Sequence, residues 1–278
     1  MILDPVFILI LGMGVRGAAI ATIISQLISC AAILIALFVS RGRPFEHFSF
    51  RFRPEPEKIV MLLKWAVPIG LESIVFCFLT MLCSRMEASF GAGALAAGKI
   101  GGQIESLSWL LGGGFSSALV AFIGQNFGAG KQERIRRGVK ISFLVMAIWG
   151  CFVTLLLFVL GPAIFVFFLP APELASLGKF YVYIAAFCQL SINMEAVAAG
   201  AFKGTGRTIP PSLASIVSNT AKPILAWLLS RTSLGVYGVW IGNSASALIR
   251  GVWVCVWYLL AERRSRSTKA TTPYCPKS

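Results

Sequence analysis

Three glutamates sit where lipid should be. Glu72, Glu105 and Glu195 each interrupt an apolar run long enough to cross a bilayer, and Lys222 and Arg250 are comparably placed. A charge at mid-membrane depth is costly, so it faces a bundle interior or a wet cavity and has either a partner or a task. The structural reading is a Glu–Lys or Glu–Arg pair that fixes helix packing. The functional reading is a carboxylate that reversibly binds a proton or another cation. Other chemistries lack their residues. The single histidine, His47, lies in a basic loop, and no CxxC motif or nucleophile–base pair occurs. Gly124-Gln125-Asn126-Phe127-Gly128-Ala129-Gly130 resembles a phosphate cradle superficially, but it follows a helical run and lacks a Lys-Ser/Thr pair. Neither an enzyme, a resident cofactor nor a structural metal is expected.

Spacing extends these charges into stripes. Ser212, Ser215, Ser218, Asn219 and Lys222 recur at intervals of three and four, forming one face of a helix. Asn243, Ser246 and Arg250 do the same further on. Gln189 aligns with Asn193, and Ser191 lies one turn from Glu195. Single serines in membrane helices are often interhelical glue. Three stripes in consecutive spans, each ending at or beside an ionisable group, predict an internal cavity. Glu72 and Glu195 are expected to face it, with Glu105, Gln103, Asn193 and Asn219 as polar neighbours and Lys222 neutralising whichever glutamate is empty. Gly98-x-x-x-Gly102 and Gly200-x-x-x-Gly204 are read as close-packing sites.

The elements that must hold these residues are membrane helices. The chain is 57% hydrophobic and 13% charged, with a mean hydropathy of +0.80. A soluble domain could not hide that much apolar surface. Its net charge of +14 sits mostly in short clusters between apolar runs, so it marks membrane loops and gives no reason to expect nucleic acid. Spans are expected at 15–39, 59–84, 92–125, 139–169, 176–202, 209–231 and 236–261, with Gly112-Gly113-Gly114 bending or breaking the third. Basic residues follow the first, third, fifth and last of these, as at Arg41 to Arg53, Lys131 to Lys140, Lys203 with Arg207, and Arg263 to Lys269. That alternation predicts a cytoplasmic C-terminus.

A repeat sets the larger plan. Gly14-Val15-Arg16-Gly17-Ala18 opens the first span and Gly235-Val236-Tyr237-Gly238-Val239 the last, with Ser25 and Ser246 matching further on. Such an offset suits a six-helix membrane lobe used twice. The expected fold is therefore an all-α polytopic bundle of about seven transmembrane helices, one complete lobe plus the last helix of a preceding one. Residues 1–39 would be the remnant of the first lobe, 40–58 a cytoplasmic inter-lobe loop, 59–262 the six-helix lobe and 263–278 a disordered cytoplasmic tail. The repeat implies roughly 160 residues ahead of Met1.

Four stretches carry a resemblance to the multidrug and toxin extrusion (MATE) antiporters. They are Gly14-Val15-x-Gly17-Ala18-Ala19, Pro68-Ile69-Gly70-Leu71-Glu72-Ser73, Gln103-Ile104-Glu105-Ser106 leading to Gly124-Gln125-Asn126-x-Gly128-Ala129-Gly130, and Gly200-Ala201-Phe202-x-Gly204-x-Gly206-Arg207-Thr208. The resemblance implies two six-helix lobes around a central cavity in a bacterial inner membrane. It implies export of organic cations or amphipathic toxins in exchange for protons or sodium ions, with a possible sodium site near Glu72 and Glu195. Many sodium-coupled members carry an acidic residue where this chain has Phe76, and some relatives an aspartate at Ile192, so the coupling ion stays open. Two alternatives accompany this reading. One is a half-transporter, inert or dependent on a partner that supplies the missing N-terminal lobe. The other is a lipid-linked oligosaccharide flippase of the same superfamily, whose cavity should be more cationic.

Overall fold

Seven α-helices follow one another in the computed structural model, which describes residues 5–10, 12–39, 55–168 and 172–271. They are α1 (Gly14–Val39), α2 (Pro56–Ser89), α3 (Ala92–Gly128), α4 (Gln132–Phe168), α5 (Pro172–Gly204), α6 (Ile209–Ser230) and α7 (Val236–Thr271). The chain divides into two compact units, Met1–Glu55 and Pro56–Ser278. The first holds α1 and a short π-helical turn at Val6–Ile10. The second is the six-helix bundle. The expected loop at 40–58 lies outside the described residues up to residue 54, and α2 begins on Pro56, whose fixed φ and missing N–H suit a first helical position.

Six of the helices are long and apolar enough to cross a membrane. The exception is α6. At 22 residues it is long enough, but Ser212, Ser215, Ser218, Asn219 and Lys222 dilute its hydropathy. Long apolar side chains point outward from the bundle, as Leu144, Ile148 and Leu155 do along one face of α4, each more than 60% exposed. That is the surface a hydrocarbon solvent asks for.

Within the bundle α5 is the hub, packing against α3, α4 and α7, while α6 packs on α7 and α2 leans chiefly on α6. Small residues allow these approaches. A Cβ on Gly150 of α4 would come 3.0 Å from the Leu190 backbone of α5. On Gly204 of α5 it would come 2.8 Å from Ile123 of α3, and on Gly200, 2.7 Å from Ser116 Oγ. The packing role expected of the Gly200 and Gly204 pair is the one observed. Helix α2 is the most loosely held, with only Leu79, Cys83 and Glu87 buried.

The repeat recurs in backbone geometry. Gly14 and Gly235 both have φ +54°, a left-handed conformation that favours glycine. Gly17 and Gly238, three residues on, press against earlier backbone: a Cβ would sit 2.7 Å from the Phe7 oxygen in one case and would collide with the Leu229 carbonyl in the other. Each unit therefore turns its chain into a helix by the same two-glycine device.

Two expectations are corrected. Of the break or bend expected at Gly112-Gly113-Gly114, there is no break, since α3 is helical throughout Ala92–Gly128. Each glycine costs a helix about 1 kcal/mol, whereas backbone groups left unpaired in hydrocarbon cost several kcal/mol each. Continuity is the cheaper state. The last helix also continues to Thr271, past the expected start of a disordered tail at residue 263. No glycine or proline interrupts 261–271, and the next proline is Pro273.

Candidate functional site

Two chambers open among α2, α3, α5, α6 and α7, and three residues belong to the walls of both: Phe76, Asn219 and Arg250. The first chamber, about 390 Å³, holds Glu72 of α2 and Glu195 of α5, with Ser73, Cys77 and Ser215. The second, about 440 Å³, holds Glu105 of α3 and Lys222 of α6 among aromatic walls from Trp109, Tyr181 and Trp240. Helical periodicity brings the charges here. On α6, Ser212, Ser215 and Asn219 lie along one stripe, so the helix faces the first chamber at one end and the second at the other. Asn243, Ser246 and Arg250 of α7 line the second chamber in the same way.

Each carboxylate has its own surroundings. The Arg250 Nε donates to Glu195 at 2.8 Å, within 2.8 Å of each carboxylate oxygen. Its Nη1 donates to Asn219 Oδ1 at 3.1 Å. Ser212 Oγ donates to Glu72 at 2.8 Å, and Lys203 Nζ stands 3.9 Å from the same oxygen. Tyr181 donates its hydroxyl to Glu105 at 3.4 Å. The Lys222 ammonium stands 5.8 Å from the Phe76 ring centroid, a cation–π distance, and makes no hydrogen bond or ion pair among the described residues.

Of the seven residues the sequence proposed, five meet at the chambers: Glu72, Glu195, Glu105, Asn219 and Lys222. Two do not. Gln103 stands two residues before Glu105, rather more than half a helical turn away, and faces a separate apolar pocket with Trp149 and Phe152. Asn193 is separated from Glu195 in the same way. It is fully buried, donating to Ser108 Oγ at 3.2 Å and to the Gln189 carbonyl at 2.8 Å. It is glue between α3 and α5. Lys222 also falls short of its expected part. It shares the chamber of Glu105, and the cation that meets Glu195 is Arg250.

Sequence reasoning missed the weight of Arg250, Tyr181 and Glu87. Arg250 was legible as a mid-span charge. Tyr181 was one aromatic among many in an apolar run. Glu87 reads as a loop residue beside Arg85, but α2 extends to Ser89 and buries it, 7% exposed. There it accepts a bond from Trp240 Nε1 at 3.1 Å, and Gly98 makes room: a Cβ on that glycine would come 2.8 Å from Glu87 Oε2. Glu87 thereby ties α2 to α3 and α7.

Comparison with known proteins adds a family. Residues 68–228 match the MatE family model. The chain is 26% identical over 260 residues to the "Probable multidrug resistance protein NorM" of Thermotoga maritima, covering 92% of this chain and 55% of that protein. It is 26% identical over 286 residues to the "FAD transporter" of Shewanella oneidensis, covering 98% and 60% respectively. A solved structure described as "Crystal structure of MATE in the bent conformation" superposes with a TM-score of 0.83 at 20% identity, covering 97% of this chain and 60% of that one. The chain thus spans little more than half the length of the curated relatives it matches.

Proposed function

The chain belongs to the MatE family, and from that premise we propose that it is the ion-coupled lobe of a secondary active transporter that exports amphipathic or cationic organic compounds in exchange for protons or sodium ions. The observation that carries this reading is Arg250. Its guanidinium is held by Glu195 in one chamber and forms part of the wall of the other. Binding a proton or cation at Glu195 would release it, leaving a positive charge in the wall of the chamber that holds Glu105. A cationic group bound near Glu105 is then repelled, and deprotonation restores the starting field. Glu72, steadied by Ser212 and Lys203, is the second carboxylate of the coupling chamber. The pairing favours a proton at Glu195, since a metal ion would need the oxygens that Arg250 already holds. Aromatic and apolar walls suit a range of substrate shapes.

The basic loops around Lys131–Lys140 and Lys203–Arg207 support a cytoplasmic C-terminus, and the bacterial relatives support an inner membrane location. A second reading has its own support. Relatives nearly twice as long carry a further lobe's worth of chain, and alternating access needs two bodies. On that reading this lobe works only beside an N-terminal partner lobe. Ethidium efflux under imposed proton and sodium gradients tests both, using this chain and a version extended upstream in a pump-deficient host. Gradient-dependent efflux by both supports the first reading, and efflux only by the extended version supports the second. Gradient-independent behaviour of both contradicts coupling altogether.

A further inference from the structure

Helix α2 has one buried face, and that face ends on a charge. Leu79, Cys83 and Glu87 follow one another at four-residue intervals, and no other residue of the helix is buried. In its first half α2 is tied to its neighbours through Glu72, which Ser212 and Lys203 attend. Two side-chain hydrogen bonds tie its second half: Ser84 Oγ accepts from Lys99 Nζ of α3 at 2.8 Å, and Glu87 accepts from Trp240 Nε1 of α7 at 3.1 Å. Gly98 of α3 gives the Glu87 carboxylate its seat. Lys99 and Lys222 attract it from further off, but it forms no ion pair among the described residues. A buried carboxylate held by one neutral donor is poorly compensated. The bonded state therefore lies close in free energy to one in which the group is hydrated and the bond is broken.

The bond belongs to the wall of the second chamber, where Trp240 of α7 and Thr80 of α2 both stand. The Trp240 ring meets the Tyr181 ring edge-on, with centroids 5.2 Å apart, and the Tyr181 hydroxyl donates to Glu105. Breaking the Glu87 bond would thus loosen α2 from α7 and free the ring against which Tyr181 is set. We propose that Glu87 is a releasable latch on the second chamber: bonded to Trp240 it keeps the seam between α2 and α7 shut, and released it lets the end of α2 swing away and admits solutes between the two helices. Access is controlled in this way whatever the chamber binds, so the latch stands or falls apart from the export reading.

Cys83, one turn from Glu87 on the same stripe, reports on the seam. Its reaction with N-ethylmaleimide is followed by intact-protein mass spectrometry on the full chain in lipid nanodiscs, with the other cysteines replaced by serine. Cys83 should react far more slowly than Cys77, which is exposed and is kept alone in the same way. Trp240→Phe, which keeps every charge, should speed the reaction of Cys83 about tenfold by stranding the carboxylate. Glu87→Leu/Trp240→Phe should slow it below the starting rate, because an apolar pair has no hydrated state to open into. A cysteine placed in the core by Val153→Cys should stay unreactive throughout. Cys83 as reactive as Cys77 overturns the latch, and that comparison needs no change at Glu87 or Trp240. An unchanged rate in Trp240→Phe also overturns it, as does a double variant as fast as the single one. Equal acceleration at Val153→Cys would show general loosening of the bundle and overturn it too.

Discussion

On the proposed mechanism Glu195 and Arg250 both hold the bundle together and couple it to the driving ion, two ends that ordinarily conflict. A buried pair is costly to desolvate, and removing one partner leaves an uncompensated charge worth about 3–5 kcal/mol of lost stability. Arg250→Met should therefore lower the thermal midpoint of the purified protein substantially. The double variant Glu195→Gln/Arg250→Met should recover most of the loss, because no lone charge remains. Thermal unfolding followed by size-exclusion fluorescence measures this, and additive losses would show the pair to be unimportant. The sequence already displayed both residues at membrane depth, and their helical stripes pointed inward. It could not show which cation meets which glutamate. Lys222 and Arg250 are equally plausible partners on one-dimensional spacing, and the choice depends on the relative rotation of α5, α6 and α7. The same blindness misplaced Gln103 and Asn193, each half a turn from a true chamber residue.

Helices decide how tightly these groups are held, and glycines decide how closely helices approach. Gly242 of α7 abuts α6, where a Cβ would come 2.6 Å from the Ala226 nitrogen, an atom of the backbone that cannot swing aside. Gly242→Val should cost at least the 1–3 kcal/mol typical of overpacking and loosen the wall that carries Arg250. Gly113 is the counter-case. A Cβ there meets nothing within 4 Å, so Gly113→Ala should stabilise α3 by about 1 kcal/mol. Thermal shifts of opposite sign are the expected pair of results. The positions of all seven helices were legible, since runs of apolar residues and intervening prolines and glycines define them. The continuity of α3 through three glycines was not, because local propensity says nothing of how strongly hydrocarbon penalises an open backbone. Glu87 was hidden for a related reason: a carboxylate near a helix end reads as exposed until Trp240 is seen to cover it.

For the whole molecule, the repeat and the loop charges make the larger claims. Matching φ values at Gly14 and Gly235, and matching close approaches at Gly17 and Gly238, give the repeat a physical basis beyond its letters. The family was legible from short glycine-rich and proline-rich stretches, and the match over residues 68–228 bears that out. Coupling ion and substrate were not legible, because they depend on side chains that meet only in three dimensions. The proposed orientation predicts that a C-terminal green fluorescent protein fusion glows and a C-terminal alkaline phosphatase fusion is inactive. The reverse pair of results would invert the topology. On the proposed mechanism the carboxylates of the first chamber, Glu72 and Glu195, drive export. Dye efflux under a proton gradient, measured at matched expression in whichever version transports, tests it most directly. Glu72→Gln and Glu195→Gln should each reduce efflux at least about tenfold, as expected for loss of a group whose charge state powers the cycle. Efflux unchanged in both variants would contradict the account.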